Sequence, residues 1–224
     1  MTNPLRSSAA LGISLRTAFI LLLFTLAFTT LMSVVYTATL KPIATSAEGE
    51  KLRLIGEVLP ATEYDNDLLR DSLELPATPE LGLGKPSRAY LARKDGQPAA
   101  LVLEAAAPDG YSGRIALILA VRTNGELIAV RVTEHKETPG LGDYIDPHKD
   151  KNKAHPWIRQ FDQQSLAHLP AEQWRVKKDG GHFDQRSGAT ISARAVTQAV
   201  GRALQWVSRH HQTLFAPPTP GATP

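Results

Sequence analysis

The strongest indication of the fold is the stretch RIALILAVRTNGELIAVRV, residues 114–132. Its two apolar runs, 114–122 and 126–132, flank Thr-Asn-Gly at 123–125. Because Asn-Gly tolerates the positive φ angles of tight hairpin turns, the pattern predicts two antiparallel strands. Both runs are apolar at nearly every position, which indicates that both faces of the sheet are covered and that this hairpin is central.

A second hairpin and a long helix complete the predicted domain. Residues 89–93 and 99–104 flank an Asp-Gly turn within 94–98, which again favours two antiparallel strands. Apolar residues recur every three or four positions across 191–214, as in an amphipathic helix. The predicted fold class is therefore α+β, with an antiparallel sheet and packed helices.

Shorter elements are predicted between the second strand pair and the long helix. Residues 156–161 begin with a Pro-Trp pair and favour a short helix, whereas 173–177 alternate as a further strand would. The Pro-rich residues 216–224 are predicted to be a disordered tail.

The N-terminal region predicts a membrane segment. Residues 17–40 carry no charge and lie between Arg16 and Lys41, and an apolar helix of about 20 residues spans a bilayer core. We favour an uncleaved transmembrane helix over a cleaved signal ending near Thr-Ala-Thr at 37–39. In both interpretations the basic residues 1–16 stay in the cytoplasm and the remaining chain is exported.

The predicted domain boundary follows from Pro and Gly. Apolar residues recur at helical spacing ahead of Pro60, which predicts a juxtamembrane helix of its own. Residues 75–87 are rich in Pro and Gly, which is typical of a linker. We therefore expect a membrane-proximal segment at 41–87 and the main domain at 88–215.

Composition excludes several classes of protein. The chain has no cysteine, so it holds no disulfide, no cysteine-ligated iron–sulfur cluster and no thiol nucleophile. Its net charge is +3, and most of that excess is Arg6 and Arg16, since residues 1–40 contain no acidic residue. A nearly neutral remainder argues against nucleic acid as a partner. No histidine pair has zinc spacing, so no metal site is predicted.

The segment DGGHFDQRSGAT, residues 179–190, carries the chemistry. It is a Gly-rich loop that leads directly into the predicted helix, where unpaired N–H groups and the helix dipole attract a phosphate. The alternative is that Asp184, Ser187 and Thr190 are ordinary turn and capping residues. On helix-start chemistry alone that alternative is the commoner one.

The residues themselves resemble a known family. Residues 184–190 read D-x-x-S-G-A-T, like the flavinylation sequence at whose threonine a transferase attaches FMN. Together with the ETPGLG loop at 137–142, the YDND segment at 64–67 and the N-terminal anchor, the chain resembles the G subunit of the Rnf electron-transport complex. That family is related to the C subunit of the sodium-pumping NADH:quinone reductase. The resemblance covers most of residues 17–215.

The resemblance implies a role for each motif residue. FMN is held covalently, through its phosphate, on the hydroxyl of Thr190. Ser187 bonds a phosphate oxygen or caps the helix, while Gly188 and Ala189 leave room for the cofactor to approach the backbone. Asp184 belongs to the pattern that the flavin transferase reads as it takes FMN from FAD with a divalent metal.

The ETPGLG loop has two interpretations that stay open. The resemblance makes it a wall of the flavin site, with Thr138 and backbone N–H groups bonding the flavin. The plain alternative is a loop that needs Gly and Pro for its conformation. The residues concerned are Glu137, Thr138, Gly140, Leu141 and Gly142.

The resemblance thus implies a membrane-anchored flavoprotein that relays electrons coupled to ion transport. It implies a single pass through the bacterial inner membrane, with the C-terminal domain on the periplasmic side, beside the other subunits of the complex. The alternatives are the homologous protein of the quinone reductase and an exported adaptor without redox function. No acid–base pair for hydride transfer is visible, so we expect no catalysis from the isolated chain.

Overall fold

The computed structural model describes residues 4–216, including the side chains of 14–39 and 48–216. The chain divides into two units, Met1–Glu50 and Lys51–Pro224. The tail predicted at 216–224 lies, apart from its first residue, outside the described residues.

The first unit is helical. Helix α1 runs Pro4–Val58 without a break, so the juxtamembrane helix is not a separate element. Pro42 lies within α1 and removes one main-chain hydrogen bond, and a long helix that is otherwise continuous accommodates that loss. Within α1 the segment Ser14–Thr39 is long and apolar enough to cross a membrane. The Thr25 and Thr37 hydroxyls donate to carbonyls one turn earlier in α1, which satisfies these polar groups within the helix.

The second unit contains a five-stranded antiparallel sheet and a C-terminal helix, as the α+β prediction requires. The strands follow one another in space as they do in sequence. Their bounds are β1 Ser72–Leu75, β2 Ser87–Lys94, β3 Gln97–Gly110, β4 Gly113–Arg122 and β5 Leu127–Glu134. Helix α2 runs Thr190–Leu214, close to its predicted bounds.

Both predicted hairpins are confirmed. Asp95 and Gly96 have φ of 51° and 73°, and Gly125 has φ of 82°, the left-handed conformation that such turns need. The predicted central position of the second hairpin is wrong, because β3 is the central strand and β5 lies at an edge. β3 continues beyond 99–104 through three alanines, which are weak strand formers and hide its length.

The sheet is covered on both faces. Leu101, Leu103 and Leu119 belong to the core on the side that packs against α2. Val102 and Ile118 belong to a second core, which includes the last turn of α1. The alternation of side chains along each strand assigns neighbouring residues to opposite faces, and both faces are apolar because both are buried.

The Pro- and Gly-rich segment 75–87 packs onto the sheet instead of forming a free linker. The second unit begins at Lys51, and β1, inside the expected membrane-proximal segment 41–87, pairs with β2. Leu81 and Leu83 are buried. Between them Gly82 has φ of 72°, and a Cβ there would lie 2.1 Å from the Ala106 carbonyl oxygen. Here Pro and Gly make the tight turns that bring the chain against β3.

Residues between β5 and α2 form short helices. The predicted helix at 156–161 is confirmed as a 3-10 helix, Trp157–Phe161. The predicted strand at 173–177 is wrong, since only an isolated bridge joins Val176 to Phe183. The apolar alternation there arises because Trp174 and Val176 are buried. The Trp174 ring lies 5.0 Å from that of Phe183.

Candidate functional site

The start of helix α2 lacks a side-chain cap. Its N-cap is Ala189, which has no capping oxygen, and no side-chain hydrogen bond closes this end. None of Asp184, Ser187 and Thr190 therefore caps the helix through its side chain, although Ser187 lies in the turn ahead of it. Thr190 is the first helical residue, and Gly188 before it has φ of 82°, a conformation that favours glycine.

A cavity of about 260 Å³ lies at this helix start. It brings together two segments that are far apart in sequence, the 137–142 loop and the residues around Thr190. A third segment, the turn between β3 and β4, contributes one side chain. The lining residues are Tyr111, Glu137, Thr138, Leu141, Gly142, Gly188, Ala189, Ile191 and Ser192.

Glu137 joins these segments. Its side chain is buried, and Oε1 accepts a hydrogen bond from the Ser112 backbone N–H at 2.9 Å. Oε2 accepts a hydrogen bond from the hydroxyl of Ser192 in the first turn of α2. Gly142 completes the contact, because a Cβ at this position would lie 2.6 Å from Ser192 Oγ and 3.0 Å from Glu137 Oε2. Only glycine fits there without a shift of its neighbours.

Tyr144 makes a second contact between the same two segments. Its buried hydroxyl accepts the Arg186 backbone N–H at 3.1 Å and donates to the Ala189 carbonyl at 3.2 Å. Burial raises the pKa of Tyr144, although hydrogen bonding and charge from Arg186 act the other way. The phenol therefore keeps its proton and can donate at neutral pH.

A buried ion pair anchors the loop ahead of the helix. Asp150 is fully buried, and it accepts hydrogen bonds from the Trp157 and Asn152 backbone N–H groups and from the Arg186 guanidinium. Burial acts to raise the pKa of Asp150, but these hydrogen bonds and the Arg186 charge outweigh it and lower that pKa. Arg186 also lies 4.6 Å over the Tyr144 ring.

Some of the expected site residues do not line the cavity. The Asp184 carboxylate pairs with Lys177 Nζ at 2.7 Å and lines a separate groove beside Trp157. Ser187 and Gly140 are exposed. Thr190 is half-buried, with lining residues directly before and after it in sequence.

Sequence reasoning missed the apolar rim of the cavity. Tyr111, Leu141 and Ile191 are large apolar side chains that are 67%, 56% and 42% exposed, and all three line this one cavity. Such clustering marks a binding surface. The sequence pointed to Leu141 only as a member of the 137–142 loop. Tyr111 and Ile191 belong to no recognisable motif. Ser192 was also missed, because its role depends on the distant Glu137.

Trp157, His148 and His155 do not line the cavity. Trp157 is packed in the core and donates Nε1–H to the Asp184 carbonyl at 2.6 Å. His148 and His155 are exposed. Across the part of the chain that the structure describes, no three His, Asp or Glu side chains cluster as metal ligands would.

Comparison with known proteins assigns the family. A sequence model of the FMN-binding domain matches residues 110–205, which include the whole cavity, and one of the RnfG N-terminal region matches 10–58. Similar proteins are named as the G subunit of an ion-translocating oxidoreductase complex. The one from Pseudomonas aeruginosa is 44% identical over 91% of this chain and 92% of its own. The chain belongs to the RnfG family.

Two further relatives match over a similar share of the chain. The G subunit from Vibrio cholerae is 40% identical over 92% of this chain and 95% of its own. The G subunit from Shewanella baltica is 39% identical over 91% of this chain and 94% of its own. The suspected family and the FMN-binding domain are thereby confirmed, and the apolar segment Ser14–Thr39 falls inside a region that the family shares.

Proposed function

We propose that this chain is a membrane-anchored flavoprotein that carries FMN on Thr190 and relays electrons within an ion-translocating complex. One observation supports this above all. Thr190 opens a helix that has no side-chain cap, at a cavity whose other wall is the 137–142 loop. An uncapped helix start attracts a phosphate group.

The residues present fit FMN. The first-turn N–H groups of α2 and the positive end of its dipole suit the phosphate. The exposed side chains of Tyr111, Leu141 and Ile191 suit the apolar part of an isoalloxazine ring. The cavity of about 260 Å³ is partly open to solvent and so holds part of a ligand whose remainder extends outward. Thr138 supplies a polar side chain to the lining, whereas the N–H groups of Glu137, Gly140, Leu141 and Gly142 are already hydrogen-bonded within the protein.

The attachment is an ester bond. The Thr190 hydroxyl oxygen bonds to the flavin phosphorus of FAD, the anhydride bond of FAD breaks, AMP leaves, and the hydroxyl proton is released. A flavin transferase with a divalent metal performs this step, with Asp184, exposed beside its groove, as part of its recognition sequence. A hydroxyl can form this bond in a chain that has no thiol.

Once bound, FMN supplies the electron transfer, and the protein supplies attachment, orientation and electrostatics. The Glu137 carboxylate adds a buried negative charge to the cavity lining. Tyr144 holds the turn ahead of Thr190 through its contacts with the main chain at Arg186 and Ala189. The open side of the cavity leaves the flavin accessible to redox partners.

Membrane anchoring and orientation complete the proposal. The Ser14–Thr39 segment spans the inner membrane, and the basic residues 1–16 remain cytoplasmic. The FMN-binding domain then lies on the periplasmic side, beside the other subunits of the complex. N-terminal sequencing of the membrane fraction tests the anchor, because a start near Thr39 would show cleavage instead.

The attachment is tested by in-gel fluorescence after coexpression with a flavin transferase. The wild-type band should fluoresce under ultraviolet light, and Thr190→Val should be dark. Thr213→Val, which changes an exposed threonine near the end of the same helix, should fluoresce as the wild type does. A dark wild-type band contradicts the proposal and favours an adaptor without flavin.

A further inference from the structure

Two segments of the cavity wall are hydrogen-bonded to each other at two separate points. At one point Glu137 accepts the Ser192 hydroxyl. At the other, Tyr144 donates to Ala189 and accepts from Arg186. The segment 137–144 and the segment 186–192 are thus bridged on either side of Thr190.

Both oxygens of Glu137 are already engaged. One accepts from the Ser112 backbone and the other from Ser192, so the side chain ties the β3–β4 turn, the loop and the helix start together. Its side chain is 3% exposed, which leaves little of it for a ligand. A carboxylate in this arrangement positions its neighbours.

Tyr144 holds the turn that precedes Thr190. Its hydroxyl is hydrogen-bonded to the main chain at Arg186 and at Ala189. These residues are the two ends of a turn, which is closed by a hydrogen bond from the Ala189 N–H to the Arg186 carbonyl. The residue is 1% exposed, and its ring packs edge-on against Trp157, with ring centroids 5.4 Å apart. The ring is therefore fixed, and the hydroxyl with it.

We infer that Glu137 and Tyr144 are positioning residues that hold the two walls of the flavin cavity at a set separation. The inference rests on the proposed function. These two side chains fix the walls before FMN is attached. The fixed walls then limit the motion of the bound flavin. Thr190 supplies the bond, and Glu137 and Tyr144 supply the geometry around it.

Hydrogen exchange on the FMN-free full-length protein tests the walls directly. Tyr144→Phe removes one hydroxyl, and amide protection at Arg186 and Ala189, whose N–H groups are hydrogen-bonded in this turn, should fall at least several-fold while the sheet strands keep theirs. Tyr90→Phe is the matched control, because Tyr90 is also buried but lies in the core on the other face of the sheet. Unchanged protection in Tyr144→Phe overturns the inference for this residue.

Flavin-loaded protein gives the second readout. Glu137→Ala should lower the steady-state fluorescence anisotropy of the attached flavin, because the loop is released from the helix. Glu137→Gln should restore the wild-type anisotropy, since an amide can accept from Ser112 and donate to Ser192. It should also shift the midpoint potential upward, because a negative charge that opposes reduction has gone. Equal anisotropy in Glu137→Ala and wild type overturns the inference.

The two proposals fail separately. A wild-type protein that never acquires flavin contradicts the function, while the hydrogen-exchange result still decides whether the walls are held as inferred. If Thr190→Val is dark and both wall variants match the wild type in exchange and anisotropy, the function stands and the positioning role is wrong. Should Tyr144→Phe fail to fold, the comparison of Glu137→Ala with Glu137→Gln tests the inference instead.

Discussion

Asp150 and Arg186 form an ion pair that joins a fully buried carboxylate to the loop immediately ahead of the SGAT sequence. The carboxylate also accepts two backbone N–H groups, from Asn152 and Trp157. Irregular chain would otherwise leave these donors unpaired beside the core. One aspartate therefore organises the connection between the 143–157 region and the start of α2.

Asp150→Asn should destabilise the second unit. The variant loses the charge that pairs with Arg186 and weakens the hydrogen bonds to two backbone donors, so we expect a loss of about 2 kcal/mol in the free energy of unfolding at neutral pH. Urea denaturation measures it. Glu74→Gln, which removes the exposed partner of Arg88, should cost less than about 1 kcal/mol. Equal losses in the two variants would contradict the assigned role.

The same pair predicts a pH dependence. Because the pKa of Asp150 is lower in the folded chain than its ordinary value of 3.8, its stabilising effect is complete above that value. The effect is lost as the pH falls through the folded pKa. The difference in unfolding free energy between wild type and Asp150→Asn should therefore shrink below about pH 4. A difference that is constant from pH 7 to pH 3 would show that the ion pair does not contribute.

Asp162 should have the opposite effect on the pH dependence of stability. Burial raises its pKa, against the charges of Arg131 and Arg159, and Oδ1 is buried with no hydrogen-bond partner among the described residues. The folded chain therefore binds this proton more tightly than the unfolded chain does, and stability from Asp162 is lost as the pH rises through the folded pKa. Asp162→Asn should gain stability relative to wild type between about pH 4 and pH 7, measured by urea denaturation at each pH. A variant whose relative stability stays flat over this range would show that the carboxyl is not penalised by burial.

The sequence predicted those parts of the molecule that local chemistry decides. The Asn-Gly and Asp-Gly turns and the apolar period of α2 placed two hairpins and one helix, since each depends on neighbouring residues. The central position of β3 could not be predicted, because it depends on pairing with both β2 and β4. The apparent strand at 173–177 failed for a related reason, as burial within an aromatic cluster produces the same alternation as a sheet face.

The candidate site shows the same division. The resemblance implied that residues 137–142 form a wall of the site at Thr190, with a plain loop as the open alternative, and the structure brings the two segments together at one cavity. Their connection through Glu137 and Ser192 is a long-range hydrogen bond with no local pattern to reveal it. Sequence proximity groups Asp184 with the site, although its side chain lies at a different groove.

Gly142→Ala should disturb the cavity wall. The added Cβ would meet Ser192 Oγ and Glu137 Oε2, and overpacking of this kind costs about 1–3 kcal/mol. Thermal unfolding of the FMN-free protein measures the loss. Gly84→Ala is the control, because a Cβ there meets nothing within 4 Å, and it should be close to neutral. Adding Ser192→Ala to Gly142→Ala should cost less than the sum of the single changes, since the nearest atom has gone.

Flavin attachment should raise the melting temperature of the second unit. Covering Tyr111, Leu141 and Ile191, which are exposed in the chain alone, removes apolar surface from water, a gain on the order of 1–2 kcal/mol. For a domain of this size that corresponds to a rise of roughly 2–8 °C. The comparison is between flavinylated wild type and Thr190→Val, by calorimetry. Leu141→Ser should reduce the rise without dimming the fluorescent band, because the side chain contributes surface and not the bond. A rise that Leu141→Ser leaves unchanged would show that the ring does not lie against this rim.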